Sequence, residues 1–164
     1  MVTAQRQGSR AARLAAFGRA AVVLAVVVGL DQLTKHTIAQ GIAPGDHRRF
    51  LPGIQLVHVR NTGVAFGFFS DGGAIVLGLT GLAVIVLIGY LALRPDRSWL
   101  WLPTGMLVGG AAGNLIDRIA SGSVIDFIKL PYWPAFNVAD MSITFGVLVL
   151  LWVLEGPKRH RDDS

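Results

Sequence analysis

Hydrophobic and polar positions along this chain fall into blocks much longer than the period of a surface helix or a half-buried strand. Residues 20–30 are apolar without a break, residues 72–93 carry no charge, residues 98–116 form a third uncharged run, and residues 141–154 form a fourth. A hydrocarbon core of about 30 Å takes about 20 helical residues to cross. The second and third runs meet that length unaided. The first rises only about 16 Å and has to continue to about Ile38; the fourth, at about 21 Å, has to begin near Asn137. Four transmembrane helices are therefore predicted, and the two extensions draw Asp31, Lys35 and Asp140 inside the ends of their spans.

Between the first two runs the chain leaves the membrane. Residues 39–71 contain the breakers Pro44, Gly45, Pro52 and Gly53 and a strand-like stretch, Ile54-Gln-Leu-Val-His-Val-Arg60. The predicted fold class is an all-α membrane protein of four transmembrane helices with a small extramembrane β element between helices 1 and 2, a single domain over residues 1–164. The segment Asn61-Thr-Gly-Val-Ala-Phe-Gly-Phe-Phe69 mixes turn residues with aromatics, as suits headgroup depth. Gly63 stands where a glycosylation acceptor would need Ser or Thr. The first apolar run is followed by Asp-Gln-Leu-Thr-Lys in place of a small-residue cleavage site, which makes it a retained span and not a signal peptide. In the third run Gly105, Gly109 and Gly113 recur every four residues, a face along which another helix can approach closely. Pro103 suits either a first helical turn or a mild kink.

Composition agrees with the bilayer reading. The chain is 52% hydrophobic and 15% charged, with a mean hydropathy of +0.55, outside the range of ordinary soluble domains. Its net charge of +5 sits outside the apolar runs, where contact with lipid headgroups and control of topology explain it better than nucleic acid. Four spans divide the 15 Lys and Arg into nine at the termini and the 94–97 loop and six on the opposite face. The positive-inside rule then places both termini in the cytoplasm, with residues 1–19 and 156–164 as basic tails. Asp31, Asp117, Asp126 and Asp140 all fall toward the outer face. The absence of Cys removes disulfides, thiolate nucleophiles and Cys metal sites, and four scattered His without HExxH argue against a zinc protease.

Ionisable groups near hydrocarbon are costly and mark a site by default. Asp31 and Lys35, spaced i and i+4, face one side and can neutralise each other, as an interfacial ion pair or as part of a site. With no GxSxG, phosphate loop or metal cluster, the chemistry that remains is a pair of carboxylates sharing one proton, which hydrolyses amides without cofactor or covalent intermediate. Asp140 is one candidate partner; Asp117 and Asp126 are equally good as the other. Asn137 and Asp140 also have the N-cap and N3 spacing of a capping box, so Asp140 has a purely structural reading that is compatible with the catalytic one. Three rival readings are a charge carrier built on Asp31, Lys35, Asp117 and Asp140, a scaffold subunit using the glycine face, and a metal-dependent intramembrane protease. The first expects carboxylates at the midplane, the second leaves the Asp and Asn unexplained, and the third wants ligand spacing the chain lacks.

Five ordered blocks carry a resemblance. Asp31-Gln-Leu-Thr-Lys35, Asn61-Thr-Gly-Val-Ala-Phe66, Gly109-Gly-Ala-Ala-Gly-Asn-Leu-Ile-Asp-Arg118, Val124-Ile-Asp-Phe127 and Phe136-Asn-Val-Ala-Asp140 resemble lipoprotein signal peptidase, or signal peptidase II, a bacterial membrane aspartyl endopeptidase. The resemblance implies that Asp126 and Asp140 are catalytic and that Asp31, Lys35, Asn61, Asn114, Arg118 and Asn137 support the site, with Asp117 a structural partner of Arg118. On residue chemistry, the three Asn amides are expected to hold the substrate backbone and Arg118 to bind a carbonyl or pair with Asp117. It further implies a prolipoprotein substrate cut just before a diacylglyceryl-Cys, a location in the bacterial cytoplasmic membrane with the site near its outer face, and a small sheet from residues 39–69 cradling the substrate. No metal, cofactor or nucleic acid is expected; membrane lipids are, and the chain is expected to be a monomer. Phe66, Phe68 and Phe69 are candidates for the site mouth, with Tyr132 and Trp133 better suited to interfacial anchoring.

Overall fold

The computed structural model describes residues 2–62, 72–94, 97 and 99–155, with side chains described for 10–62, 81–94, 97 and 99–155. Four helices and three strands follow in the order α1 (Val2–Gly41), β1 (His47–Leu51), β2 (Ile54–Asn61), α2 (Gly72–Leu93), α3 (Trp101–Ser121), β3 (Val124–Lys129) and α4 (Val138–Glu155). Among the described residues, the stretch Arg10–Gly41 and helix Val138–Glu155 are long and apolar enough to cross a bilayer.

The first helix is longer than the hydrophobic pattern required. Its 40 residues rise about 60 Å, so the arginine-rich flank expected before the first span is a continuation of the same helix. The second and fourth helices keep the bounds read from the sequence. The third starts at Trp101, which places Pro103 in its first turn, where a missing N–H costs nothing. It runs past the uncharged stretch to Ser121 and stops at Gly122, whose φ of 71° and N–H bond to Arg118 O (2.9 Å) close the last turn. Asn114, Asp117 and Arg118 are therefore all helical.

The glycine face of α3 packs on α1. A Cβ on Gly105 would lie 2.6 Å from Ala20 O, and one on Gly113 would lie 2.6 Å from Asp31 Oδ2. The backbones of the two helices meet because side chains are missing between them, and this brings Asp31 and Lys35 of α1 beside Asn114 and Asp117 of α3.

The β element differs from expectation in one respect. It is a three-stranded antiparallel sheet in the order β1-β2-β3, and its third strand comes from between α3 and α4, not from the segment between the first two helices. Pro52 and Gly53 (φ 80°) turn β1 into β2. The Val124-Ile-Asp-Phe-Ile-Lys129 stretch has the β-branched and aromatic content of a strand, and it covers the edge that β2 would otherwise leave unpaired. Asp126 pairs with Val59 and Val124 with Asn61. A strand thus carries Asp126, beside Phe127, which packs with Ile38 and Ile42 at the end of α1.

Candidate active site

Asp126 and Asp140 reach the site from different kinds of element. Asp126 is on β3, 3% exposed, and Asp140 is the third residue of α4, half-buried. Asn137 joins them. Its Nδ2 donates to Asp126 Oδ1 at 2.7 Å, and its backbone N–H donates to Asp140 Oδ2 at 3.2 Å. Asp140 N–H returns a bond to Asn137 Oδ1 at 2.9 Å. The pair is a reciprocal capping box made with Asn and Asp, so Asp140 does cap α4 while its other oxygen faces the site.

The remaining amides also serve carboxylates. Asn61 Nδ2 donates to Asp126 Oδ2 at 3.0 Å, a diagonal contact across the β2–β3 ladder. Asn114 Nδ2 donates to Asp140 Oδ1 at 2.8 Å, and Asn114 Oδ1 accepts from Asn137 Nδ2 at 3.1 Å. The sequence reading gave Asn61, Asn114 and Asn137 to the substrate backbone; in the folded chain their amides orient the two aspartates.

Asp31 and Lys35 form the expected ion pair at 2.7 Å, deeply buried. Asp31 Oδ1 also accepts from Ala139 N–H at 2.9 Å, so the first helix caps the fourth. One pairing is corrected: Asp117 binds Lys35 at 2.9 Å in place of Arg118, because Asp117 faces inward at 8% exposed while Arg118 is only half-buried and bonds Asn114 O at 3.4 Å. Gln32 was overlooked as a site residue. Its Nε2 contacts Asp117 Oδ1 at 2.9 Å, Asp31 Oδ2 at 3.2 Å and Gly113 O at 3.2 Å. The available signal is its place inside the Asp31-Gln-Leu-Thr-Lys35 block, next to Asp31.

Burial is the main influence on the Asp126 carboxyl and pushes it up. Donation from Asn61 opposes the rise, the Asp140 charge adds to it, and Asn137 and Lys35 draw it down, leaving it at about 6 in place of 3.8. One carboxyl that keeps its proton toward neutrality beside a second, better-solvated one is the arrangement general acid–base hydrolysis needs. Among the described residues no cluster of three or more His, Asp or Glu is arranged to hold a metal. Residues 63–71, including Phe66, Phe68 and Phe69, lie outside the described residues. Tyr132 is fully exposed and Trp133 62% exposed, on the loop after β3.

Comparisons with known proteins agree with one another. A family model described as signal peptidase (SPase) II matches residues 23–155. A lipoprotein signal peptidase of Moorella thermoacetica is 42% identical over 131 residues, 79% of this chain and 87% of its own length. One from Pseudoalteromonas atlantica is 41% identical over 138 residues, 78% of this chain and 84% of its own. A solved bacterial membrane enzyme, determined by the in meso method at 1.9 Å resolution, superposes with a TM-score of 0.76 and 31% identity over 86% of this chain and 95% of that one.

Proposed function

The chain belongs to the signal peptidase II family of proteases, and on that premise we propose that it is an aspartyl endopeptidase which removes signal peptides from diacylglyceryl-modified prolipoproteins, cutting before the modified Cys. The observation that carries this reading is Asn137, one residue bonded to both Asp126 and Asp140 and so holding the two carboxylates near each other. Relatives named lipoprotein signal peptidase support the substrate class.

In this mechanism Asp126 carries the shared proton and Asp140 is ionised. Asp140 takes a proton from water as the water oxygen attacks the scissile carbonyl, and Asp126 gives its proton to the carbonyl oxygen. On collapse of the gem-diol, Asp140 returns a proton to the leaving nitrogen and Asp126 regains one from a hydroxyl, so both groups end as they began. Arg118 is left to meet a substrate carbonyl.

All four helices span the membrane in this proposal, with both termini in the cytoplasm and the aspartates near the outer face; α2 and α3, at 22 and 21 residues, each suit a crossing of about 30 Å. An apolar groove of about 650 Å³ is lined by Val86, Leu87, Leu107, Ile143, Val147 and Leu150 between α2, α3 and α4. The apolar helix of the signal peptide lies there, and the substrate's lipid anchor fixes its other end. Two attachments set the depth of the peptide bond, so orientation is supplied by the membrane.

The test is cleavage of a diacylglyceryl-modified prolipoprotein by the purified protein in detergent with a chelator present. Cleavage by the wild type, lost in Asp126→Asn and in Asp140→Asn, is expected. Cleavage by either variant, or none by well-folded wild type, refutes the assignment.

A further inference from the structure

Beside the two aspartates lies a second set of charges that the hydrolytic scheme leaves unused. Asp31, Lys35 and Asp117 are 0%, 2% and 8% exposed. Lys35 Nζ meets Asp31 Oδ2 at 2.7 Å and Asp117 Oδ2 at 2.9 Å, and donates to Asn114 Oδ1 at 3.0 Å. An ammonium has three donors, and all three are engaged. Because it can only donate, the Asn114 atom facing it is the oxygen, which aims Asn114 Nδ2 at Asp140. Asp117 reaches the other carboxylate by a separate route. Its Oδ2 also accepts from the N–H of Ile125, the residue just before Asp126, at 3.3 Å, and its Oδ1 is held by Gln32.

We propose that Asp117 is a positioning residue which, by covering the charge of Lys35 and tethering the strand at Ile125, lets Asp126 keep its proton while Asp140 stays oriented through Asn114. The inference rests on the hydrolytic reading above. Its electrostatic part follows from what surrounds Asp126. Lys35 approaches from α1 with Asp31 behind it, Asp117 stands on α3, Asp140 on α4, and the neutral amides of Asn61 and Asn137 complete the shell. Arg118, half-buried on α3, donates to Asn114 O. After the Asn61 and Asn137 amides, Lys35 is the charge that favours loss of the Asp126 proton, and Asp117 and Asp31, paired with it, offset it.

The variant that isolates this role is Asp117→Asn, which removes a charge while leaving an oxygen for Lys35 or Ile125. With Lys35 less covered, the alkaline limb of the kcat profile, where Asp126 loses its proton, moves to lower pH by about half a unit to one unit. At a pH on that limb kcat falls roughly three- to tenfold, with KM within about twofold. Asp117→Glu, which restores the charge, returns the limb toward its wild-type place. Gln32→Met removes a partner of Asp117 without changing any charge; it lowers the thermal midpoint and leaves the limb where it was. An Asp117→Asn protein that melts earlier but keeps the wild-type limb has lost only structure, and the proposal is wrong. If that variant does not fold, Asp31→Asn uncovers Lys35 from its other side and must move the limb in the same direction; an unmoved limb there refutes the proposal equally. Wild-type cleavage measured alongside separates the two levels, since its failure refutes the hydrolytic reading and not the role of Asp117.

Discussion

Replacing Asp126 by Asn is expected to abolish turnover and to remove a loss of stability that the wild type suffers as pH rises. Asp126 titrates at about 6 in the folded chain against 3.8 as its ordinary value. Below pH 3.8 it is protonated whether folded or unfolded, and its burial costs nothing in charge. Between 3.8 and about 6 the unfolded chain gives up the proton while the folded one holds it. Above 6 the folded chain must bury an ionised carboxylate, and the loss is complete. A difference of roughly 2 pH units at about 1.4 kcal/mol each makes the wild type about 3 kcal/mol less stable at neutral pH than it is at low pH, from this group alone. An Asn side chain is neutral like the protonated acid, but Asn61 and Asn137 both donate to Asp126; its Oδ1 can accept from one of them, while its Nδ2 faces a second donor and loses that bond. The variant should therefore sit below the wild type near pH 4 by the bond it loses, about 1 kcal/mol, and gain on it as pH rises. In a chain of this size about 3 kcal/mol corresponds to roughly 6–12 °C in thermal midpoint. The assay is thermal unfolding of both proteins in one detergent at one heating rate, from pH 4 to 8. A midpoint difference that stays flat with pH, or that favours the wild type as pH rises, would show that Asp126 does not hold the proton and would remove the acid from the proposed mechanism.

Three further outcomes follow from the same contacts. Asn137→Ala removes a bond to Asp126 and the cap of α4 together; it should cost about 2–4 kcal/mol and lower kcat more than a hundredfold, read by melting and by the cleavage assay. Gly113→Ala sets a Cβ 2.6 Å from Asp31 Oδ2, an oxygen pinned by Lys35 that has little room to retreat, so about 1–3 kcal/mol of stability should be lost along with activity. Arg118→Gln breaks one long bond to its own helix; its thermal stability should stay within about 0.5 kcal/mol, while KM rises if the guanidinium meets the substrate and stays unchanged if it does not.

The parts of this molecule that were legible in the sequence are those set by the membrane. Runs without charge fixed where α2 and α4 lie, and the need to reach about 30 Å drew Asp31, Lys35 and Asp140 into helices before any contact was known. The stripe Gly105, Gly109, Gly113 named a helix contact without naming its partner, because a small-residue face fits any helix that brings a matching ridge. What escaped was non-local. Residues 124–129 have the content of a strand, but nothing within them records that the edge they meet is that of β2. The resemblance pairs Asp117 with Arg118, the residue next to it. In a helix, residues i and i+1 point about 100° apart, and the partner that faces Asp117 comes from α1, 82 positions earlier. The bonds from the Asn residues to the aspartates are non-local in the same way: Asn61, Asn114 and Asn137 come from three different elements or their edges, and each donates to a carboxylate that the chain brings beside it.

The same contacts hold the helices together and align the aspartates. Asp31 touches Gly113 on α3, Lys35 on its own helix and the Ala139 N–H at the start of α4. A shift of α1 along the glycine face would therefore move Asp140 through its helix cap and through the Lys35 to Asn114 link at once. Asp126 is tied to the same point by Ile125 N–H on Asp117 and by Asn137. For a protease whose substrate bond is proposed to be placed by the membrane, the depth of the two aspartates has to be as fixed as the depth of the substrate. Buried charge is an expensive way to join three helices, since an apolar contact of the same shape would hold them as well or better. Its use here is explained if the join must also carry orientation to two carboxylates, which directional hydrogen bonds do and dispersion contacts do not.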